Sequence, residues 1–164
     1  MYKFFSWFLA KFWKNFGGVT KHIYRSGQMG KIRLPITVYL CDIKCIIALN
    51  MDGSCPEEKF EKEYCEKNGI KTIHFNWSAS DNKYPDQLDL VLQTLENNEN
   101  KEINTLVHCA GGKDRTGGVI GHWIFLNEAY QTKNSLICDF IEQCRVHQIP
   151  DKGWVKSVME NYKG

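Results

Sequence analysis

Cys109 and Arg115 are separated by five residues, Ala110-Gly111-Gly112-Lys113-Asp114, and Thr116 follows directly. Each residue type suits one task in handling a phosphate group. Glycines let backbone N–H groups turn inward around an anion. A guanidinium at Arg115 can grip two phosphate oxygens as a fork. The same positive field lowers the pKa of a cysteine and yields the thiolate, which is the nucleophilic form. The Thr116 hydroxyl can donate to that thiolate and stabilise it again as a leaving group. A lone cysteine reads as a small core residue, but here the surrounding order argues for chemistry. An apolar run, 103–107, leads in, and a helix-compatible run, 118–127, leads out. That helix would aim its N-terminus, the positive end of its dipole, at the same anion. The expected cradle is the backbone of Ala110, Gly111, Gly112, Lys113 and Asp114 together with Arg115, with Cys109 as the attacking group.

Such a loop needs a strand to deliver it and a helix to receive it. The pattern along the chain supplies both. Residues 23–26 read as a short edge strand, and 31–42 as a helix with Pro35 near its start. The β-rich apolar run 44–50 reads as a buried strand. Ser54 and Glu57 give a capping-box signal for a helix through Asn68, closed by Gly69. Strand 70–76 follows, then helix 85–97 with Leu88, Val91, Leu92 and Leu95 on one face. Strand 103–108 carries the loop, and helices 118–126, 133–146 and 152–162 complete the chain. Strands joined by helices imply a mostly parallel sheet covered on both faces. Ligands of such sheets bind beyond the carboxyl ends of the strands, where the Cys109 loop falls.

The chain has 164 residues, which suits one domain with a substantial core. A formal net charge of +2 is too small to argue for a nucleic-acid partner. The seven cysteines form no paired metal-binding spacing, and no metal site is expected. A nucleophilic thiol needs reducing conditions, so the expected location is cytoplasmic, without disulfides. Residues 1–16 stand apart, crowded with Tyr2, Phe4, Phe5, Trp7, Phe8, Phe12, Trp13 and Phe16. At helical spacing most of these aromatics share one arc, with Lys3, Lys11 and Lys14 on the other. The segment is too short and too interrupted to span a bilayer. Two readings stay open: a core helix, or a peripheral membrane contact with aromatics in and lysines out. Gly17-Gly18 would end that helix.

His108-Cys109, five residues, Arg115 and Thr116 resemble the signature of the cysteine-based phosphatases, the tyrosine and dual-specificity superfamily. Gly112 and Gly117 also stand where that superfamily has glycine. A second stretch, Ile23-Tyr24-Arg25-Ser26-Gly27-Gln28, is similar to a segment near the start of small dual-specificity-like phosphatases. The resemblance implies an α/β cysteine-phosphatase fold, a central mostly parallel sheet flanked by helices. It would occupy 19–164, after an aromatic N-terminal segment 1–18. It also implies phosphomonoester hydrolysis through a phosphocysteine, with no metal or organic cofactor. His108 would support the thiolate from a buried position, and Arg25 would hold structure.

The general acid would come from the loop 77–86. There Asp81 is preferred, because Asp86 falls in the first helical turn; the loop departs from the Trp-Pro-Asp motif of the larger tyrosine phosphatases. Lys113 resembles the phosphoinositide-directed branch, and Asp114 resembles myotubularin-like and some bacterial lipid-active enzymes. The substrate is therefore expected to be a phosphorylated protein or, as the alternative, a phosphoinositide or inositol polyphosphate. A catalytically idle phosphate-binding module is the reading from another class, against which the intact Cys109 and Arg115 argue.

Overall fold

The run that leads into Cys109 forms the middle strand of a five-stranded sheet. The computed structural model describes residues 13–78 and 87–126. In chain order the elements are β1 (Gly17–Gly18), β2 (Ile23–Gly27), α1 (Arg33–Cys41), β3 (Cys45–Ala48), α2 (Pro56–Lys67), β4 (Lys71–His74), α3 (Leu88–Asn100), β5 (Thr105–Cys109) and α4 (Asp114–Leu126). The strand order is β1-β2-β5-β3-β4. β2, β5, β3 and β4 run parallel, and β1 pairs antiparallel with β2. The register sets Gly27 beside Cys109 and Ala48 beside His108, so three strands end together at the loop.

Alternation along the strands divides the core in two. Cys45, Ile47, Val107 and Cys109 face α3 and α4, meeting Leu88, Val91, Leu92 and Leu95 and then Val119, Ile120 and Trp123. Ile46 and Leu106 face the opposite way, against Leu34 of α1, Cys65 of α2, and Phe16 and Met29. Helices therefore cover both faces, as the strand–helix alternation implies.

Several local expectations are corrected. β2 is an interior strand and not an edge, because Gly17 and Gly18 pair with Arg25 and Tyr24 on its outer side. Those glycines are thus strand residues and not a helix stop. Just before them, Lys14 and Asn15 are left-handed, at φ 48° and 60°, which no α-helix accommodates. Trp13 donates from its indole N–H to Thr37 Oγ1 at 2.9 Å, and Phe16 is buried against the sheet. These two aromatics therefore serve the core.

The capping box does not form. Pro56 opens α2 after Cys55, which leaves Ser54 one residue too far out to cap it. The Ser54 N–H donates instead to Asp52 at 2.8 Å, and Glu58, not Glu57, accepts from the Gly53 N–H at 2.7 Å. α4 begins at Asp114, four residues earlier than expected, so Asp114 and Arg115 belong to its first turn. Segments 1–12 and 79–86, and the expected helices 133–146 and 152–162, lie outside the described residues. No helix among the described residues is long and apolar enough to cross a membrane.

Candidate active site

The loop between β5 and α4 is held open by its carbonyls. Gln28 N–H donates to Ala110 O at 3.2 Å, and the Asn15 side-chain amide donates to Gly111 O at 2.8 Å. The guanidinium of Arg25, fully buried, donates to Gly112 O. Three consecutive carbonyls are thereby fixed on the outer side. In a trans peptide the C=O of one residue and the N–H of the next point in opposite directions. The described chain has no cis peptide. The N–H groups of Gly111, Gly112 and Lys113 therefore turn inward, which is the geometry of an anion-binding nest. α4 adds its N-terminal end, with the Gly117 N–H closing the first turn on Lys113 O at 2.7 Å.

Gly112 has no substitute in this turn. Its φ is +65°, and a Cβ there would lie 2.3 Å from the Gly27 nitrogen and 2.4 Å from the Ser26 carbonyl carbon. Gly111 differs: a Cβ there would meet nothing within 4 Å.

Cys109 sits at the bottom of this nest, almost wholly buried. Burial alone would raise its pKa. The Thr116 hydroxyl and N–H beside the sulfur, the charge of Arg115 and the Gly112 N–H overcome it, and the thiol is held below its ordinary value. The other four described cysteines go the opposite way. Burial is the largest cause raising Cys41, Cys45 and Cys55, and with the charge of Glu61 it pushes Cys65 up to about 12. Of the five described thiols, Cys109 alone is held below its ordinary value.

Arg115 lies in the first turn of α4 and donates from Nη1 to the carbonyl of Trp77. Its Nε–H is buried and has no hydrogen-bond partner among the described residues. Trp77 stands four residues before Asp81 in sequence, so Arg115 ties the end of the described stretch ahead of that residue to the loop after Cys109. Lys113 is half-buried, Ala110 and Gly111 are exposed, and Asp114 is the first residue of α4. Thr116 is fully buried beside the sulfur. The structure thus brings together Cys109 through Thr116. Asp81 and Asp86 lie outside the described residues.

His108 is buried and hydrogen-bonded, as the sequence suggests, but its partner is new. Its Nε2 lies 3.0 Å from Glu61 Oε1, and both side chains are essentially inaccessible. Burial lowers the His108 pKa. Glu61 and the adjacent Cys109 raise it, and the net direction is up. Glu61 was missed because it sits in a charged helix 47 positions upstream. The signal was present in spacing: Glu58, Glu61 and Cys65 share the buried face of α2. Asn15 was missed for a simpler reason, since a single amide in an aromatic segment announces no partner. Trp77 and Trp123 are core residues. Among the described residues no group of His, Cys, Asp or Glu is placed to hold a metal.

Comparison with known proteins gives concordant matches. Residues 12–126 match the model of the tyrosine phosphatase family. The chain is 32% identical over 111 residues to the probable tyrosine-protein phosphatase DG1060 of Dictyostelium discoideum, covering 65% of this chain and 63% of that one. It is 32% identical over 113 residues to the inositol diphosphatase DSP4 of Arabidopsis thaliana, covering 65% and 53%. The chain therefore spans between about half and two thirds of these curated relatives. In fold it is similar to the crystal structure of PTPMT1 in complex with PI(5)P, with a TM-score of 0.68 at 15% identity over 90% of this chain and 94% of that one.

Proposed function

Since the chain belongs to the tyrosine phosphatase family, we propose that it hydrolyses phosphomonoesters through a phosphocysteine intermediate, with phosphorylated protein side chains as substrate. The observation that carries this reading is the selective lowering of the Cys109 pKa inside a nest of inward N–H groups. In the first step the Cys109 sulfur attacks phosphorus, and the bond from phosphorus to the ester oxygen breaks. Asp81 donates the proton that the departing oxygen needs. Arg115 and the loop N–H groups hold the equatorial oxygens as charge spreads over them. In the second step water attacks phosphorus, Asp81 takes its proton, and the sulfur leaves as a thiolate. The Thr116 hydroxyl, buried beside the sulfur, donates to that thiolate and stabilises it. No step calls for a metal or organic cofactor.

The second reading is a phosphoinositide or inositol-polyphosphate substrate. It is favoured by Lys113, a half-buried cation inside the cradle that can meet a second phosphate. The relatives named as an inositol diphosphatase and as a complex with PI(5)P point the same way. An idle binding module is disfavoured, because binding alone gives no reason to prepare a thiolate. A reducing cytoplasm is the compartment that this thiol requires. With Trp13 and Phe16 serving the core, a peripheral membrane contact of 1–16 would draw its aromatic side chains from the residues before Trp13.

The test is phosphate release from an aryl phosphate, a phosphotyrosine peptide and a phosphoinositide, comparing wild type with Cys109→Ser in the presence of a chelator. Turnover in the wild type that is lost in the variant and unaffected by chelator is expected. Turnover that survives Cys109→Ser would overturn the mechanism, and a rate greatest on the phosphoinositide would select the second substrate.

A further inference from the structure

The first 41 residues hold seven lysines and arginines and no aspartate or glutamate, while the remaining 123 carry a net charge of −5. The basic quarter of the chain therefore has its own character. Within it, α1 turns an apolar face to solvent. Tyr39 is 85% exposed, Ile32 77% and Leu40 73%, and Ile36 completes the set. At 100° per residue these four occupy an arc of about 100°. Lys31 and Arg33 flank that arc on its two sides. Leu34 and Thr37, on the opposite face, are buried. Six large apolar residues are exposed among the described residues, and four of them lie here. A concentrated patch of this kind marks a contact surface.

The location of the patch gives it direction. Trp13 is bonded to Thr37 of α1, and Asn15 is bonded to Gly111 of the catalytic loop. Trp13 and Asn15 therefore link α1 to the loop after Cys109. In sequence, the twelve residues before Trp13 contain Tyr2, Phe4, Phe5, Trp7, Phe8, Leu9 and Phe12, with Lys3 and Lys11. Gln28, two residues before Gly30 at the head of α1, is bonded to Ala110 O. The segment around α1 and the loop after Cys109 are therefore joined by hydrogen bonds at Gln28 and Asn15.

We propose that the exposed face of α1 is a docking surface for an anionic lipid bilayer. Ile32, Ile36, Tyr39 and Leu40 enter the interface, Lys31, Arg33 and Lys14 meet lipid phosphates, and the catalytic loop is held at the membrane. Both signals needed for stable peripheral binding are present, an apolar area and a cationic fringe. The one acid at the end of the helix, Asp42, is paired with Lys44 at 2.7 Å and does not oppose the fringe. A second copy of the chain fits less well, because two such faces would bring lysines and arginines together without acids.

The test is co-sedimentation of the full chain with phosphatidylcholine vesicles, with and without phosphatidylserine. Tyr39→Glu/Leu40→Glu and Lys31→Glu/Arg33→Glu are the variants. Wild type is expected to bind the anionic vesicles preferentially, and each variant to bind them about tenfold less well or worse. Thermal melts establish that the variants fold, so the result stands whatever substrate the active site takes. Absence of wild-type binding to anionic vesicles would overturn the proposal. So would variants that bind like wild type, or a wild-type dimer that Tyr39→Glu/Leu40→Glu makes monomeric with no vesicle binding in either.

Discussion

Replacing Gly112 with alanine should disable the site, while replacing its neighbour Gly111 should be nearly silent. The reason lies in two properties of Gly112. Its φ of +65° is a left-handed conformation that costs an L-residue about 1–2 kcal/mol. The new Cβ would also lie 2.3 Å from the Gly27 nitrogen, where ordinary contact begins at 3.4 Å. The obstructing atoms are backbone of β2, which is paired to β5 along its length and cannot swing aside. The loop must therefore retreat by about 1 Å, which loosens the Arg25 bond to Gly112 O and moves the Gly112 N–H from the sulfur. A displacement of that size at a reacting centre is worth about 10²-fold in rate. Gly111→Ala meets nothing within 4 Å and has no positive φ, so its effect should stay within about threefold. The assay is kcat/KM on an aryl phosphate together with the pH midpoint of Cys109 alkylation, which should rise in Gly112→Ala alone. Equal losses in the two variants, or an unshifted alkylation midpoint in Gly112→Ala, would refute the account of the loop.

Two further outcomes are expected. Glu61→Gln removes the carboxylate that raises the pKa of buried His108. A raised folded pKa means that the pair's stabilisation is fully present below the unfolded value near 6.5 and is lost as pH rises through the folded pKa. The variant should therefore lose about 3 kcal/mol in urea unfolding at low pH and less at alkaline pH; a loss that grows with pH would contradict the pairing. Asp81→Asn should lower kcat by about 10² or more for esters with poor leaving groups and much less for nitrophenyl phosphate, whereas Asp86→Asn should stay near wild type. The reverse ranking would transfer the acid role to Asp86.

The chemistry of this chain is legible where it is local. Cys109, Arg115 and Thr116 lie within eight positions, and one loop places them all, so residue type and spacing carry the reading. The strand and helix pattern is legible for the same reason, because Leu88, Val91, Leu92 and Leu95 report their face through helical spacing. What is not legible is the support that crosses the fold. Glu61 reaches His108 of β5 from helix α2, and Asn15 reaches Gly111 over 96 positions. The role of Arg25 is intermediate: a structural arginine tied to carbonyls is readable from its setting, but its partner Gly112 O is fixed only by the parallel pairing of β2 with β5. Turn chemistry misled at Ser54, where Pro56 set the helix start, and at Gly17-Gly18, where two residues too flexible for a confident strand gain their order from the neighbour β2.

The central claim is that the loop makes Cys109 the group that accepts phosphate. Rapid acid quench during turnover of a radiolabelled aryl phosphate, followed by peptide mapping, measures this directly. Label is expected through sulfur at Cys109, absent in Cys109→Ser and absent from Cys41, Cys45, Cys55 and Cys65. Turnover with no labelled protein, or label on any other residue, would contradict it.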